Sequence, residues 1–198
     1  MRLGAVLMAS GFGRRFGENK LLYPVDGVPM VERAFRALPP ALFDRAVVVS
    51  SHPAILALGV EAGYLPVFNP DAAEGRAASV RLGLERLEDM DGVLFAVCDQ
   101  PWLRRESVEK LLADMAAHPD SVCALAFGGR RGNPMVFPAA LFPELLALRG
   151  EQGGGRVLQA HLHLLRLTEA DSAAELQDVD TREDLKSGWP QAAFDRPG

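Results

Sequence analysis

Short apolar runs alternate with amphipathic stretches along the first two-thirds of the chain. "LGAVLM" (3–8), "RAVVVSS" (45–51), "LPVF" (65–68), "GVLFAVC" (92–98) and "SVCALAF" (121–127) are nearly continuous in apolar residues. Runs of this length read as strands buried on both faces. Between them, "VPMVERAFRAL" (28–38) has helical spacing and stops at Pro39-Pro40, and "PAILALGVEAG" (53–63) stops at Gly63. "GRAASVRLGLERLEDM" (75–90) predicts a loop entering a helix, and "RRESVEKLLADMAAH" (104–118) an amphipathic helix. The alternation predicts an α/β, Rossmann-like fold: a mainly parallel sheet with helices on both faces. Open sheets of this kind bind ligands outside the carboxyl ends of their strands, where the strand order reverses. The loops after residue 8 and after residue 98 ("DQPWL") are therefore the predicted site.

Residues 128–180 are less regular. "GGRRGNPMVF" reads as a turn and an extended segment, "AALFPELLALRG" as a helix, and "EQGGGRVLQAHL" as glycines leading into a short helix. The pattern predicts an annex over the sheet, 128–178, within one domain, 1–188, followed by a tail, 189–198. In "VDTREDLKSG" (179–188), Thr181 with Asp184 three residues on resembles a capping box and predicts a final helix. His161 and His163, two apart, would share one face of a strand, with no third ligand nearby.

Composition narrows the possible partners. The chain has 198 residues, 48% of them hydrophobic, and a net charge of -5. That charge argues against nucleic acid as a partner, because phosphate-backbone binding needs a basic surface. No apolar run approaches the roughly 18 residues of a membrane span, and the N-terminus lacks the order of a secretory signal. Cys98 and Cys123 fall inside strand-like runs and read as reduced core residues. These features together predict a cytoplasmic protein. Any cationic site must be local.

One such site is visible in "GAVLMASGFGRRFGENKLL". Gly11, Gly13 and Gly17 let backbone amides approach an anion, while Arg14, Arg15 and Lys20 add full charges. A nucleoside triphosphate matches that set; a solvated surface loop is the alternative. The spacing is not that of a Walker A loop, since Gly17 is followed by Glu18-Asn19. It fits a dinucleotide fingerprint only in part, with Phe at position 16. Asp99, directly after the strand "GVLFAVC", can ligate Mg²⁺ or cap the next helix. Trp102 can stack on a flat substrate or pack in the core.

The segment Leu7-Met8-Ala9-Ser10-Gly11-Phe12-Gly13-Arg14-Arg15-Phe16-Gly17-Glu18-Asn19-Lys20-Leu21-Leu22 resembles the signature L-A-A-G-x-S-x-R-M-G-x-x-K-x-L of the MobA-like NTP transferase family. Met8, Ser10, Gly13 and Phe16 depart from it. The paired arginines and Lys-Leu-Leu are most similar to the molybdenum cofactor cytidylyltransferases, and the resemblance runs to about residue 188. It implies a nucleotide-diphospho-sugar transferase-like fold. It also implies transfer of CMP, or another NMP, from CTP or another NTP to the phosphate of a molybdopterin-type acceptor, with release of pyrophosphate. Arg14, Lys20 and Asp99 would be catalytic, with Arg14 and Lys20 on the leaving pyrophosphate. Ala9, Ser10, Gly11, Gly13, Arg15, Gly75 and Ser79 would bind the nucleotide.

Asp99 and Asp180 would hold Mg²⁺, and Asn133 and Arg156 would line the acceptor side. Asn133 stands where the cytidylyltransferases often carry His, and "GEQGGGRVL" departs at Gln152 and Gly154 from their G-D-x-G-x-R loop. Ser79 could equally cap its helix. Arg76 and Arg81 could meet phosphate, and Arg130 and Arg131 could attract an anionic acceptor or lie in solvent. A molybdoenzyme receiving the cofactor would be a further partner. The alternatives are a nucleotidyltransferase for another phosphorylated acceptor, an NAD(P)H-dependent reductase of the same family, and a non-catalytic cofactor-binding accessory protein.

Overall fold

The computed structural model describes residues 1–11 and 19–187. Strand β1 (Leu3–Met8) is followed, after the undescribed part of the first loop, by a 3-10 turn at Lys20–Leu22. A two-stranded ribbon, β2 (Pro24–Val25) and β3 (Val28–Pro29), then leads into α1 (Met30–Ala37). Its turn residues Asp26 and Gly27 have φ of 51° and 78°, the positive angles that an Asp-Gly hairpin turn supplies. Next come β4 (Arg45–Ser50), α2 (Pro53–Glu61), β5 (Leu65–Phe68), α3 (Arg76–Leu84), β6 (Gly92–Val97) and α4 (Arg105–Ala117). The chain closes with β7 (Val122–Phe127), β8 (Arg130–Pro138), α5 (Phe142–Leu146), α6 (Gly154–Ala160), β9 (Leu165–Glu169) and α7 (Asp184–Ser187).

Seven strands form one sheet in the order β5-β4-β1-β6-β8-β7-β9. The pairs β1–β4, β1–β6, β4–β5 and β7–β9 are parallel, while β8 runs antiparallel to both neighbours. The mainly parallel α/β sheet expected from the sequence is thus present. From β1 the chain moves outward through β4 and β5, then crosses to β6 on the other side, so the order reverses between β1 and β6.

Successive residues of the central strands point to opposite faces. Ala5, Leu7, Val48, Leu94 and Ala96 join α1 and α4 in one core, built around Met30, Val31, Leu111 and Met115. Val6, Val47, Val49, Val93 and Phe95 join α3, α5 and α6 in the other, with Val80, Leu84, Leu145 and Val157. Burial on both faces is why these strands read as unbroken apolar runs.

Residues 128–178 do not lie over the sheet as an annex. They supply two of its strands, β8 and β9. Gly128 and Gly129, with φ of 57° and 74°, turn the chain back, and Val136 pairs with Leu94 on one side and Cys123 on the other. The polar first half of β8 masks its buried second half, Met135 to Pro138. His161 and His163 are not on a strand. They sit in the turn between α6 and β9, where His161 Nε2 lies 2.7 Å from Glu144 Oε1. Among the described residues no helix is long and apolar enough to cross a membrane.

Candidate active site

Strands β1 and β6 end side by side, with Met8 paired to Val97. A cleft of about 740 Å³ opens beyond them, at the point where strand order reverses. Ala72, Gly75, Arg76, Ser79, Arg131, Gly132, Asn133 and Gly153 to Gly155 line it, and Lys20, Asp99, Gln100, Asp178 and Asp180 also border it.

The first loop leaves β1 under tight backbone control. Ala9 donates its N–H to the Val49 carbonyl at 2.8 Å and accepts from Ser50 Oγ at 2.8 Å. It is 1% exposed and is absent from the cleft lining, and these two bonds close β1 onto β4. Ser10 Oγ is a hub: it accepts from Ser79 Oγ at 3.1 Å and Asn69 Nδ2 at 3.3 Å, and donates to the Val49 carbonyl at 3.3 Å. Ser79 lies inside α3, whose cap is Gly75, so it is not a capping residue. Its hydroxyl donates to Ser10 and accepts from Asn69 at 3.0 Å, which makes it a support for the loop. Gly11 lines the cleft, and a Cβ built on it meets nothing within 4 Å. Gly13, Arg14 and Arg15 lie outside the described residues.

Lys20 does not stand free in this loop. Its ammonium is buried and donates to Asp99 Oδ2 at 2.8 Å, Asp180 Oδ1 at 2.9 Å and the Val179 carbonyl at 2.9 Å. Burial penalises the charge, but the Asp99 and Asp180 carboxylates outweigh it and hold the Lys20 pKa above its ordinary value. Asp180 reaches this point because Val179 N–H donates to the Asp99 carbonyl at 2.9 Å, and Gln100 Nε2 donates to Leu176 O at 3.1 Å and Asp178 Oδ1 at 2.9 Å. Burial and the nearby Asp99 charge push the Asp178 carboxyl up. Asp99 is no helix cap, since α4 begins at Arg105 with Arg104 before it. Its Oδ1 is buried with no hydrogen-bond partner among the described residues. Cys98, beside it, is fully buried, and desolvation with the Asp99 charge raises its thiol far out of the nucleophilic range.

Asn133 lines the cleft, and Arg156 does not. Val157 and Leu158 bury the core face of α6, Gly154 and Gly155 face the cleft, and Arg156 projects to solvent. Among the described residues, Arg76 and Arg131 line the cleft together with Lys20. Arg81 is a structural tie instead, donating to the Leu148 carbonyl at 2.8 Å. Gly75, at φ 113°, packs on the Gly150 backbone and joins the α3 side to the loop before α6. Trp102 is 8% exposed within the core and does not border the cleft, so it packs.

Sequence reasoning passed over Asn69 and Asp178. Asn69 stands at a strand end in "FNPD", a position that predicts only a turn. Asp178 stood in view in "DVDTREDL", in a i, i+2 pair with Asp180 that an extended segment places on one side.

Residues 5–165 match the MobA-like NTP transferase domain. The chain belongs to the MobA-like NTP transferase family. Purine catabolism protein PucB of Bacillus subtilis is 31% identical over 192 residues, which cover 90% of this chain and 92% of that protein. Molybdenum cofactor guanylyltransferase of Rhodobacter capsulatus is 30% identical over 150 residues, 75% of each chain. Nicotine blue oxidoreductase of Paenarthrobacter nicotinovorans is 29% identical over 199 residues, 91% of this chain and 93% of that one. Among solved structures, Rv0371c of Mycobacterium tuberculosis superposes with a TM-score of 0.79 at 23% identity, covering 94% of this chain and 97% of the other. It shares the fold of this MobA-like chain.

Proposed function

We propose that this MobA-like chain transfers a nucleoside monophosphate from an NTP to the terminal phosphate of a molybdopterin-type acceptor. An acceptor phosphate oxygen forms the new bond to the α-phosphorus, and the α–β bridging bond breaks to release pyrophosphate. The observation that carries this reading is the convergence of Asp99 Oδ2 and Asp180 Oδ1 on one cation position, Lys20 Nζ, at the switch point of the sheet. The Asp99 and Asp180 carboxylates, with Asp99 Oδ1 lacking a partner among the described residues, and the Val179 carbonyl are hard oxygen donors, so they fit Mg²⁺. Mg²⁺ held by Asp99 and Asp180 would neutralise charge on the transferred phosphate.

The chain's own residues supply the positioning on which phosphoryl transfer depends. Ser10, fixed by Asn69 and Ser79, presents the loop backbone to the cleft, and Gly11 leaves room for phosphate to approach it. Arg14, Arg15 and Lys20 supply the positive charge for the triphosphate, and Gly13 further backbone. Gly75 keeps the α3 side closed on the loop before α6 and borders the nucleotide. Asn133 and Arg131, which border the cleft, would face the acceptor.

The resemblance in the first loop favours CTP, while the Rhodobacter relative carries the guanylyl name, so the assay takes both. Pyrophosphate release is measured with CTP, GTP, ATP and UTP, with and without molybdopterin, for wild type and Asp99→Asn. Acceptor-dependent release with one NTP, falling about 10²- to 10⁴-fold in the variant, is the expected result. Equal rates for the two proteins, or full activity in EDTA, would overturn the reading. The similarity to nicotine blue oxidoreductase supports a second reading, hydride transfer from NAD(P)H. Nicotinamide oxidation that survives Asp99→Asn would decide for it.

A further inference from the structure

We infer that Lys20 is a resident counter-ion that competes with the divalent cation for Asp99 and Asp180, so that the cation binds together with the nucleoside triphosphate and not before it. The inference rests on reading Asp99 and Asp180 as the cation ligands.

An ammonium has three N–H donors, and all three of Lys20 are in use: Asp99 Oδ2 at 2.8 Å, Asp180 Oδ1 at 2.9 Å and Val179 O at 2.9 Å. None is left to meet a phosphate oxygen. A Mg²⁺ on the same carboxylate oxygens would sit roughly 2.0–2.1 Å from them. The two cations therefore claim one space and repel each other, and the metal cannot enter while Lys20 stays. Lys20 cannot leave unreplaced either. It would expose Asp99, whose Oδ1 has no hydrogen-bond partner among the described residues, to the charges of Asp178 and Asp180. The site exchanges one cation for another.

Lys20 has a route out. It opens the 3-10 turn at the end of the first loop and borders the same cleft as Ser10 and Gly11. A triphosphate entering that cleft offers the ammonium anionic oxygens equivalent to those it gives up. It also brings ligands for the incoming metal. Nucleotide and cation then enter as a pair, and Lys20 passes from the carboxylates to the phosphates. The carboxylate pair stays neutralised throughout, and an empty cleft does not retain the metal.

Mn²⁺ binding to the full chain, read by electron paramagnetic resonance of the free ion, tests this without turnover. The proteins are wild type, Lys20→Met, Lys20→Gln and Asp99→Asn, each without nucleotide and with non-hydrolysable α,β-methylene analogues of CTP and GTP. Without nucleotide, both Lys20 variants should bind Mn²⁺ about tenfold more tightly than wild type, because a competing charge is gone. Wild type should gain Mn²⁺ affinity with an analogue beyond that of the analogue alone, and Asp99→Asn should lose that gain. Folded Lys20 variants that bind no tighter than wild type would overturn the exchange while the cation site stands. Unchanged binding by Asp99→Asn in every state would remove the cation site itself. Should neither Lys20 variant fold, wild type decides: nucleotide-free protein binding Mn²⁺ as tightly as its nucleotide complex overturns the exchange.

Discussion

Lys20 Nζ lies 2.8 Å from Asp99 Oδ2, joining the first loop to the end of β6 across 79 residues of sequence. The lysine side chain is 8% exposed and that of Asp99 22%. A loop lysine read from sequence carries little packing, and its removal would be expected to leave stability untouched. The buried pair reverses that expectation. Breaking a fully buried pair by removing one partner costs about 3–5 kcal/mol. Here the Asp180 side chain is 64% exposed and that of Asp99 is 22% exposed, so Lys20→Ala should cost less, about 1–3 kcal/mol. Urea unfolding measures it, and a loss under about 0.5 kcal/mol, typical of a surface change, would show that the pair does not hold the fold.

Asp89 supplies a second electrostatic test, away from the cleft. Its carboxylate accepts from Arg2 at 2.7 Å and from Arg45 at 2.8 Å, tying together the chain entering β1 and β4. The Arg2 hydrogen bond, helped by Arg45, holds the Asp89 pKa below its ordinary 3.8. A lowered carboxylate pKa means the unfolded chain takes up the proton first as pH falls. The contribution of Asp89 is thus present above pH 3.8 and is lost as pH drops through the folded value. Asp89→Asn should lower the Tm at neutral pH and converge on wild type well below pH 3.8. A constant difference across the acid range would contradict the linkage.

Arg131 and Arg156 make a paired prediction about the acceptor wall. Arg131 borders the cleft, whereas Arg156 is exposed on α6 outside it. A hydrogen bond to a charged group contributes about 1.5–3 kcal/mol, so Arg131→Ala should raise the acceptor KM roughly 10- to 100-fold. Arg156→Ala should leave both substrate KM values near wild type. The reverse pattern in steady-state kinetics would move the acceptor to the outer face of α6.

The doubly buried strands were legible because buried parallel strands need unbroken apolar runs. Both loops of the cleft were legible because the switch-point rule depends only on strand order. β8 was not, because the pairing that makes it a strand comes from β6 and β7, distant in sequence, while its own first half is arginine and glycine. The cleft's chemistry divided along the same line. Asp99 could be named from its place directly after a buried strand, and Asp180 from the resemblance of "DVDTREDL" to the family's late motif. That Lys20 would sit between them depends on how the segment 176–180 is pinned to residues 99 and 100, which no local pattern encodes. Arg156 stands outside the cleft for a simpler reason: a motif match gives a residue type, while the helix phase set by Val157 and Leu158 decides which way it points.

Gly11 and Gly75 both border the cleft, yet alanine at each should fail in a different assay. At Gly75 the backbone has φ 113°, and a Cβ would stand 2.5 Å from the Gly150 carbonyl carbon and oxygen. Neither contact can be relieved by a side-chain rotation, since both atoms are backbone. Gly75→Ala should therefore destabilise the fold by about 2 kcal/mol or more, through strain and a forced parting of α3 from the loop before α6. At Gly11 a Cβ meets nothing within 4 Å, so the folded chain has space for it. Gly11→Ala should change stability by less than about 0.5 kcal/mol. The added methyl group enters the cleft, where the proposal seats the triphosphate against the loop backbone. It should raise the NTP KM about tenfold or more, as expected when close backbone approach to an anion is blocked. Thermal melting and NTP titration of the two variants separate these outcomes. A folded Gly11→Ala protein with an unchanged NTP KM would place the triphosphate away from this loop.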